Sequence, residues 1–381
     1  MPSKTIFLDR ADDAARQLAG ISSVTEIAVD TEGASFHRFV DRIYLLQLST
    51  QDRSAIIDPL AVPSETLAPL GALLESVAVE TVFHDADYDL RLLQRDYGWH
   101  VRNIFDTRVA AQLLGLKAFG LAALLDRYFG VKLDKKHQRA DWSMRPLSAD
   151  MLEYAAQDTL YLLELRTRMR EELRSKERLS WAREEFARLE GTKWSEEEPG
   201  SAFLRIKGAR DLTRRELAVL RELFSWRDSV ARELDRATFR VIGNEQLLEI
   251  SRAQPSGRDD LARVKGVSRG ILDRRVNDVL AAVRRGLDVP ETDLPRFAKS
   301  ARWDRDPQFD TKVNALKTVR DAAAARLDLD PGVLCARDRM EAAARRNPKS
   351  VDELAEVTEL RNWQREVLGE GFVSALGAVP R

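Results

Sequence analysis

The first part of the chain carries apolar residues in short runs that are separated by turn residues. Four such runs, IAVDTE, IYLLQLS, SAIID and VETVFH, are rich in β-branched and aromatic residues and have the length of single strands. The segment LAPLGALLE, which precedes the last run, has helical spacing. The pattern therefore predicts a sheet whose strands lie between Ile27 and His84.

After His84 the apolar spacing becomes helical. Apolar residues recur at intervals of three and four in DLRLLQRDYG, DTRVAAQLLG, LAALLDRYFG and the long MLEYAAQDTLYLLELRTRMREEL. Strands that are followed by helices in this way predict a mixed sheet with helices packed on it. We expect this α/β domain to occupy residues 1–192.

A polar stretch, GTKWSEEEPGSA, follows the α/β region. Its Gly, its Pro and its three successive Glu residues are typical of a linker. The rest of the chain contains no convincing strand pattern. It predicts two small all-α modules, at 203–288 and 306–381, and the helical pattern between them is interrupted by Pro290 and Pro295.

The two helical modules share a degenerate repeat. QPSGRDDLARVKGV aligns with NPKSVDELAEVTEL at a constant offset of 93 residues, and NEQLLEISRAQ aligns with RDRMEAAARRN without a gap. The match is weak at any one position but suggestive as a set. The aligned pairs are Pro255 with Pro348, Leu261 with Leu354, and Val264 with Val357.

Composition narrows the class of protein. The 381 residues suffice for two or three domains, and 44% hydrophobic residues exclude a disordered chain. The longest apolar run, at 118–125, is far shorter than the ~20 residues that span a bilayer, so no membrane partner is expected. The first residues lack the pattern of a secretion signal and Cys335 is the single cysteine, which together favour a cytoplasmic protein. The four dispersed histidines do not suit a zinc site.

The near-zero net charge is the sum of an acidic region and a basic region. With 61 basic and 62 acidic residues, the chain as a whole does not look like a nucleic-acid binder. However, residues 1–200 hold 26 basic and 33 acidic residues, 201–290 hold 19 and 13, and 291–381 hold 16 of each. A basic helical module suits a polyanion, although an ordinary solvated helix surface explains the charge equally well.

Asp30 and Glu32 end the predicted strand IAVDTE. Side chains two positions apart on a strand share a face, so both carboxylates point the same way, roughly 6 to 7 Å apart. Two like charges on a buried face are costly unless a cation lies between them, and oxygen-only ligands suit Mg or Mn. The triplet alone is a weak signal, since strand ends often place acids in solvent.

Two later elements carry further acids. The helix predicted in FHDADYDL places Asp85 and Asp89 on one face, with Asp85 where a helix cap is ordinary and Asp89 deeper in the helix. His84 is better explained by packing than by ligation. In YAAQD, the spacing of four places Tyr154 and Asp158 on one helix face, and the alanines between them allow that helix to approach a sheet closely.

Together, in this order, the three elements resemble the tyrosine subclass of the DEDD superfamily of 3′–5′ exonucleases, and within it the ribonuclease D family. FHDADYDL, IFDTRVAAQLLG and DWSMRPLSADMLEYAAQDT carry the resemblance in the α/β region. The module at 210–286 resembles the helicase and ribonuclease D C-terminal (HRDC) domain, and 310–376 resembles a diverged copy. The resemblance implies a ribonuclease H-like exonuclease domain followed by two HRDC-like helical bundles.

The resemblance also implies a metal-dependent hydrolase. Asp30, Glu32, Asp89 and Asp158 would hold two divalent cations, Mg or Mn, and Tyr154 would help to orient the attacking water. The product would be a nucleoside 5′-monophosphate released from a free 3′ end. RNA is the implied partner, with precursors of tRNA and other stable RNAs as its class, and no protein partner is implied.

Two alternatives stay open at this point. One is a DNA 3′–5′ exonuclease on the same scaffold, since the carboxylates do not read the sugar. The other is a catalytically silent RNA-binding protein, which would be expected to have lost one of the four carboxylates. All four are present in the sequence.

Two basic stretches are candidates for nucleic-acid contact. VKLDKKHQRADWSMR combines basic residues with an aromatic residue, which suits a single strand, although a surface loop anchored by its tryptophan is an equal explanation. GVSRG has the spacing of an esterase serine, but no histidine follows His137; its turn suits either a phosphate or a plain helix cap. The candidates are Lys135, Lys136, Arg139, Trp142 and Arg145 in the first stretch, and Lys265 and Arg269 beside the second.

Overall fold

The computed structural model describes residues 5–134, 136–195, 200–298 and 306–379. By their internal contacts these residues form two compact units. The first unit takes its described residues from 1–32, 43–194 and 303–381, and the second from 33–42 and 195–302. The short segment 33–42 thus belongs to the same unit as the first helical module.

A mixed sheet of six strands, counted over the described residues, forms the centre of the first unit. The strands are β1 (Thr5–Leu8), β2 (Glu26–Glu32), β3 (Leu45–Ser49), β4 (Ser54–Ile57), β5 (Glu80–Phe83) and β6 (Ile104–Asp106). They lie in the order β1-β4-β3-β2-β5-β6. β3 runs antiparallel to both β2 and β4, and the other pairs are parallel. The mixed sheet that the sequence predicts is confirmed.

The two edge strands, β1 and β6, are not predicted by the residue pattern. β1 has four residues and β6 three, and β6 is too short to display an alternation of apolar and polar positions. β6 also directly precedes a helix, so its residues read as part of a helical stretch. Only pairing with a neighbouring strand identifies such short segments as strands.

The helices of the α/β region in the first unit include the one that the sequence expects to approach the sheet closely. They are α1 (Ala11–Ala19), α2 (Ala68–Leu74), α3 (Asp87–Tyr97), α4 (Thr107–Leu113), α5 (Leu121–Phe129), α6 (Ala149–Leu160), α7 (Leu162–Ser175) and α8 (Leu179–Leu189). α6 packs on β2, β3 and β4 and buries Ala155 and Ala156. The hydroxyl of Thr159 on α6 lies 2.8 Å from that of Ser49 on β3. This contact helps to hold α6 close against the sheet.

The second unit is built around one long helix. Its helices are α9 (Arg214–Glu233), α10 (Thr238–Val241), α11 (Asn244–Ala253), α12 (Arg258–Arg263), α13 (Arg269–Arg274) and α14 (Val276–Leu287). Thr213 and Glu216 form a reciprocal capping box at the start of α9. α14 packs closely along α9. The two helices approach so closely at Gly286 that a Cβ there would lie only 2.4 Å from the Cα of Val219. The all-α prediction for this module is confirmed.

The second helical module repeats features of the first. Its helices are α15 (Phe309–Leu327), α16 (Pro331–Leu334), α17 (Arg337–Arg346), α18 (Val351–Leu354) and α19 (Asn362–Ala378). α11 and α17 are each followed by a residue with left-handed backbone, Gln254 (φ 44°) and Asn347 (φ 51°). Leu261 and Leu354 are both fully buried. In the described part of the chain, no helix combines the length and the apolar character needed to cross a bilayer.

The second helical module shares a hydrophobic core with the α/β region. Trp181 of α8 stacks on Trp363 of α19, with 4.9 Å between ring centroids. Glu185 of α8 accepts hydrogen bonds from the indole of Trp363 at 2.9 Å and from Arg361 at 3.1 Å. Removing this module would expose the apolar face of α8, so the module is part of the first unit's fold. The sequence does not predict this packing, because an apolar helix face does not specify what covers it.

Candidate active site

Three acids from two distant parts of the sequence meet at the end of β2. Asp30 and Glu32 come from this strand, and Asp158 comes from α6, which packs on it. One carboxylate oxygen from each lies within 4.8 Å of the other two. The structure therefore brings together the D-x-E pair and the acid of the YAAQD segment.

Asp89, the fourth predicted acid, is held beside this cluster by Thr31. It is only 5% exposed, and its Oδ1 accepts hydrogen bonds from the Thr31 amide at 3.0 Å and from the Thr31 hydroxyl at 2.5 Å. Thr31 thus orients Asp89, a role that the alternation of residues along a strand does not reveal.

The turn before α3 differs from the prediction. α3 begins at Asp87, and Asp85 lies outside it with a left-handed φ of 69°, so Asp85 and Asp89 do not share a helix face. Asp106, which caps α4, accepts hydrogen bonds from the amides of Asp85 (3.3 Å) and Ala86 (2.7 Å). These bonds fix the entry into α3 and hence the position of Asp89.

A cavity of about 530 Å³ opens over the acids. All four acids and Tyr154 line it, together with residues that the sequence analysis did not single out. These are chiefly Tyr88, Arg108, Leu133 and Gln138. Arg108 forms an ion pair with Asp85, and its guanidinium lies 5.2 Å from the centre of the Phe119 ring. A single arginine or tyrosine in a helix has no sequence signal that would mark it as part of a cavity wall.

Tyr154 is held between two other rings. Its ring centroid lies 5.8 Å from that of His137 and 6.1 Å from that of Trp142. Burial, and then the negative charges of Asp158 and the β2 acids, raise the pKa of the Tyr154 phenol above its ordinary value. The phenol therefore stays protonated at neutral pH in the metal-free site and can both donate and accept a hydrogen bond.

The four carboxylates raise one another's pKa values. Burial is the largest cause for each, followed by the charge of neighbouring acids; it raises the pKa of Asp158 to about 7 and those of Asp30, Glu32 and Asp89 well above their ordinary values. The potential metal ligands of this cluster, as far as the structure describes the chain, are carboxylates alone. This donor set fits a hard divalent cation such as Mg or Mn.

His84 lies in the cavity wall as a packed, neutral side chain. Its Nδ1 lies 2.9 Å from the hydroxyl of Thr107, which donates to the carbonyl of Phe83. Burial, and then the charge of Arg108, lower the pKa of His84 to about 4. The structure agrees with the interpretation that His84 packs against its neighbours.

The raised pKa of Asp158 predicts how metal-free stability depends on pH. Because the folded pKa of about 7 exceeds the ordinary value of 3.8, the folded protein binds this proton more tightly than the unfolded chain. This contribution to stability is present below the unfolded pKa and is lost as pH rises through the folded pKa. We expect the Tm of metal-free protein to fall between about pH 4 and about pH 7, and added Mn to raise it more at the higher pH.

Differential scanning fluorimetry with and without chelator measures both effects. Asp158→Asn is the control, because it removes the titrating group while nearly preserving its shape. It should flatten the pH dependence of the metal-free protein. Equal pH slopes for the variant and the unchanged protein would contradict the assignment of the shift to this cluster.

Two of the residues predicted to contact nucleic acid instead make their contacts within the protein. Trp142 is 2% exposed, so its indole cannot stack on a base; it anchors the loop to the core, the alternative that the sequence left open. Arg145 donates to the carboxylate of Asp58 at 2.5 and 2.7 Å and to the carbonyl of Tyr44 at 2.8 Å. We therefore correct the prediction for both residues. Their charge and aromatic character resemble a binding pattern, but Trp142 is buried and the Arg145 guanidinium is hydrogen-bonded to Asp58 and to backbone carbonyls.

The other candidates lie at the surface or outside the described residues. Lys136 is exposed and pairs with Asp150 at 3.1 Å, Arg139 is exposed, and Lys135 is outside the described residues. In the second unit, Lys265 and Arg269 are exposed on either side of a turn in which Gly266 has a left-handed φ of 84°. Their contact with nucleic acid stays a prediction.

The serine of the GVSRG turn is a helix cap. The hydroxyl of Ser268 accepts a hydrogen bond from the amide of Ile271 at 3.4 Å, at the start of α13. This geometry confirms that the turn is not an esterase elbow, which needs a strand before the serine. Ser268 therefore shapes the turn that presents Lys265 and Arg269.

Comparison with known proteins agrees with this site. The profile of a 3′–5′ exonuclease family matches residues 6–174, and the HRDC domain profile matches 216–283 and 312–376. Ribonuclease D of Granulibacter bethesdensis is 30% identical over 371 residues, covering 97% of this chain and 91% of that protein. An exosome complex component 10 homolog of Caenorhabditis elegans is 32% identical over 82% of this chain and 37% of its own.

A solved structure aligns with nearly the whole chain. The crystal structure of Escherichia coli RNase D aligns with a TM-score of 0.75 and 25% identity, covering 98% of this chain and 99% of that one. The alignment includes the sheet that carries the acids and both helical modules. The chain therefore belongs to the ribonuclease D family and is a 3′–5′ exoribonuclease with an exonuclease region followed by HRDC regions.

Proposed function

We propose that Asp30, Glu32, Asp89 and Asp158 hold two divalent cations, Mg or Mn, at which RNA 3′ ends are hydrolysed. The observation that carries this proposal is the meeting of three carboxylate oxygens within 4.8 Å, with Asp89 fixed beside them. When bound, such cations activate a water for attack and stabilise charge on the leaving 3′ oxygen. Four clustered acids would otherwise repel one another strongly.

The chain's own residues orient the reacting groups. The Tyr154 hydroxyl, which lines the same cavity as the acids, would hold the attacking water in line with the scissile phosphorus. Asp30, Glu32 and Asp158, whose carboxylate oxygens meet, would hold the cations together with Asp89. Water adds to phosphorus as the bond to the 3′ oxygen breaks, so a nucleoside 5′-monophosphate leaves and the shortened RNA regains a 3′ hydroxyl.

The substrate class that we propose is RNA with a free 3′ end, including precursors of tRNA and other stable RNAs. Its support is the crystal structure of the E. coli relative, which is described as an exoribonuclease involved in structured RNA processing. The test is incubation with matched 5′-labelled single-stranded RNA and DNA, with Mg or Mn and with chelator. Stepwise shortening of RNA that stops with chelator is expected; shortening of DNA alone would overturn the assignment.

We further propose that 1–192, 203–288 and 306–381 are three sequence domains, a division supported by the separate family profiles matched at 6–174, 216–283 and 312–376. In the fold, the described residues of the third domain pack into the first compact unit. The protein is proposed to act in the cytoplasm, since the one cysteine, Cys335, is free and buried.

The first helical module, whose region 201–290 holds 19 basic and 13 acidic residues, is the proposed RNA-binding module. Lys265 and Arg269 would contact phosphates there, and Lys136 and Arg139 are further candidates.

Neutralising the basic turn should weaken RNA binding in a salt-dependent way. In the variant Lys265→Gln/Arg269→Gln, two phosphate contacts are lost, so the slope of log affinity against log salt should fall by about 0.7 per contact on single strands. Fluorescence anisotropy with labelled RNA in chelator measures the slope without hydrolysis. Cleavage of very short RNA should change little.

The matched control is Lys317→Gln/Arg326→Gln. These two basic residues are exposed on α15 of the second module, so the control removes the same charge from another surface. An equal loss in both variants would indicate a general effect of net charge. An unchanged slope in the first variant would contradict a phosphate site at this turn.

A further inference from the structure

Gln47, at the centre of β3, is buried without a polar partner. Its side chain is 0% exposed, and neither its amide nitrogen nor its amide oxygen has a hydrogen-bond partner among the described residues. Burying an amide in this way is unfavourable, and such a group in a native fold calls for an explanation. A neighbouring polar group that forms a hydrogen bond with the Gln47 amide would provide that explanation.

The strand register places Gln47 beside Asp30. The two residues are directly opposite in the antiparallel pair of β3 and β2, so their side chains lie on the same face of the sheet. Ser49, two positions along β3, shares that face and contacts Thr159, the neighbour of Asp158 on α6. Gln47 is therefore enclosed between the sheet and the helix that together carry three of the four acids.

Two neighbouring elements place apolar side chains beside Gln47, and these cannot form hydrogen bonds with its amide. The residue opposite Gln47 on β4 is Ile56, and α6 presents the buried Ala155 and Ala156 to the sheet. On β2, the residue directly opposite Gln47 is Asp30, whose carboxylate can accept a hydrogen bond. An amide in this place suits a supporting contact to a metal ligand, of the kind that fixes ligand orientation in metal sites.

We propose that Gln47 is a positioning residue for Asp30, whose carboxylate accepts a hydrogen bond from the Gln47 amide N–H in the metal-loaded site. This inference rests on the proposed metal site. The bond would restrict the rotation of the Asp30 carboxylate, and it would satisfy the amide donor that is unpaired in this structure. Gln47 touches neither RNA nor the attacking water, so it acts only through Asp30.

The test compares Gln47→Met with a matched control, Thr81→Val. Thr81 on β5 is also 0% exposed, and its hydroxyl also has no hydrogen-bond partner among the described residues. For Gln47→Met we expect Mn affinity, measured by isothermal titration calorimetry without RNA, to fall about 10- to 100-fold. The Tm in chelator should not fall, because an unpaired polar group has been replaced by an apolar one of similar volume. Thr81→Val should leave Mn affinity unchanged.

Kinetics provide a second readout. The kcat of Gln47→Met on labelled RNA should drop at low Mn and recover towards the unchanged protein at saturating Mn, with KM for RNA unaltered. A lower Tm with unaltered Mn affinity would overturn the proposal in favour of a structural role, as would an equal loss of affinity in Thr81→Val. Gln47→Leu is made in parallel, and failure of both apolar variants to fold would likewise show a structural role. If the unchanged protein binds no Mn, the proposed metal site fails, whatever Gln47 does.

Discussion

Asp30→Asn is expected to abolish hydrolysis of RNA 3′ ends while the protein stays folded. Asp30 is one of the three acids whose carboxylate oxygens meet, so the amide removes one carboxylate ligand from the acid cluster. Metal-based stabilisation of a phosphoryl transition state amounts to several kcal/mol, and about 4 kcal/mol corresponds to roughly a thousandfold in rate. We expect kcat to fall by about this factor or more. The assay is stepwise shortening of 5′-labelled RNA in Mg or Mn.

A matched variant separates this loss from a general effect of charge. Asp87→Asn makes the same change at the exposed start of α3, where Asp87 pairs with Arg91 at 2.8 Å. Exposed pairs of this kind contribute little, so activity and Tm should stay close to those of the unchanged protein. Metal-free Asp30→Asn should be at least as stable as the unchanged protein, because a repulsive buried charge is gone. Activity that survives Asp30→Asn would contradict the proposed mechanism.

Tyr154→Phe is expected to lower kcat by about a hundredfold and to leave metal binding intact. The phenylalanine ring keeps the contacts with His137 and Trp142, so only the hydroxyl is lost. Positioning of a proton-transferring group contributes about 10²- to 10⁴-fold to catalysis, and the lower end suits a hydroxyl that orients water. KM for RNA should change little if the hydroxyl acts on the water alone.

Single-turnover kinetics and Mn calorimetry together test the role of the hydroxyl. Tyr161→Phe is the control, since Tyr161 packs on Phe129 with 5.3 Å between ring centroids and does not line the cavity. Its kcat should match that of the unchanged protein. A Tyr154→Phe variant that loses Mn affinity in step with kcat would indicate that the phenol supports the metal ligands instead of the water.

Much of the local geometry of the site follows from spacing. The alternation of residues along a strand predicts that Asp30 and Glu32 share a face, and helical periodicity predicts the same for Tyr154 and Asp158. All four side chains line one cavity in the structure. Short-range spacing is reliable here because it depends only on the repeat of a strand or helix, whatever covers that element.

Spacing is less informative where the backbone leaves a regular element. The helix predicted at Asp85 begins two residues later, because the amides of the preceding turn bond to Asp106, which lies 21 residues further along the chain. Trp142 has the residue type of a base-stacking site, but it is buried. Nothing in its local sequence separates a tryptophan that binds a ligand from one that anchors a loop.

The sequence by itself determined the family resemblance, the sheet's central strands, the four acids with Tyr154, the internal repeat and the opposite charges of the two regions. Tertiary structure decided that Thr31 holds Asp89, that Gln47 lies opposite Asp30, and that the second helical module shares the core of the first unit. The physical reason is that periodicity shows which side of an element is apolar. It does not show which distant element covers that side, and these contacts join residues far apart in the chain.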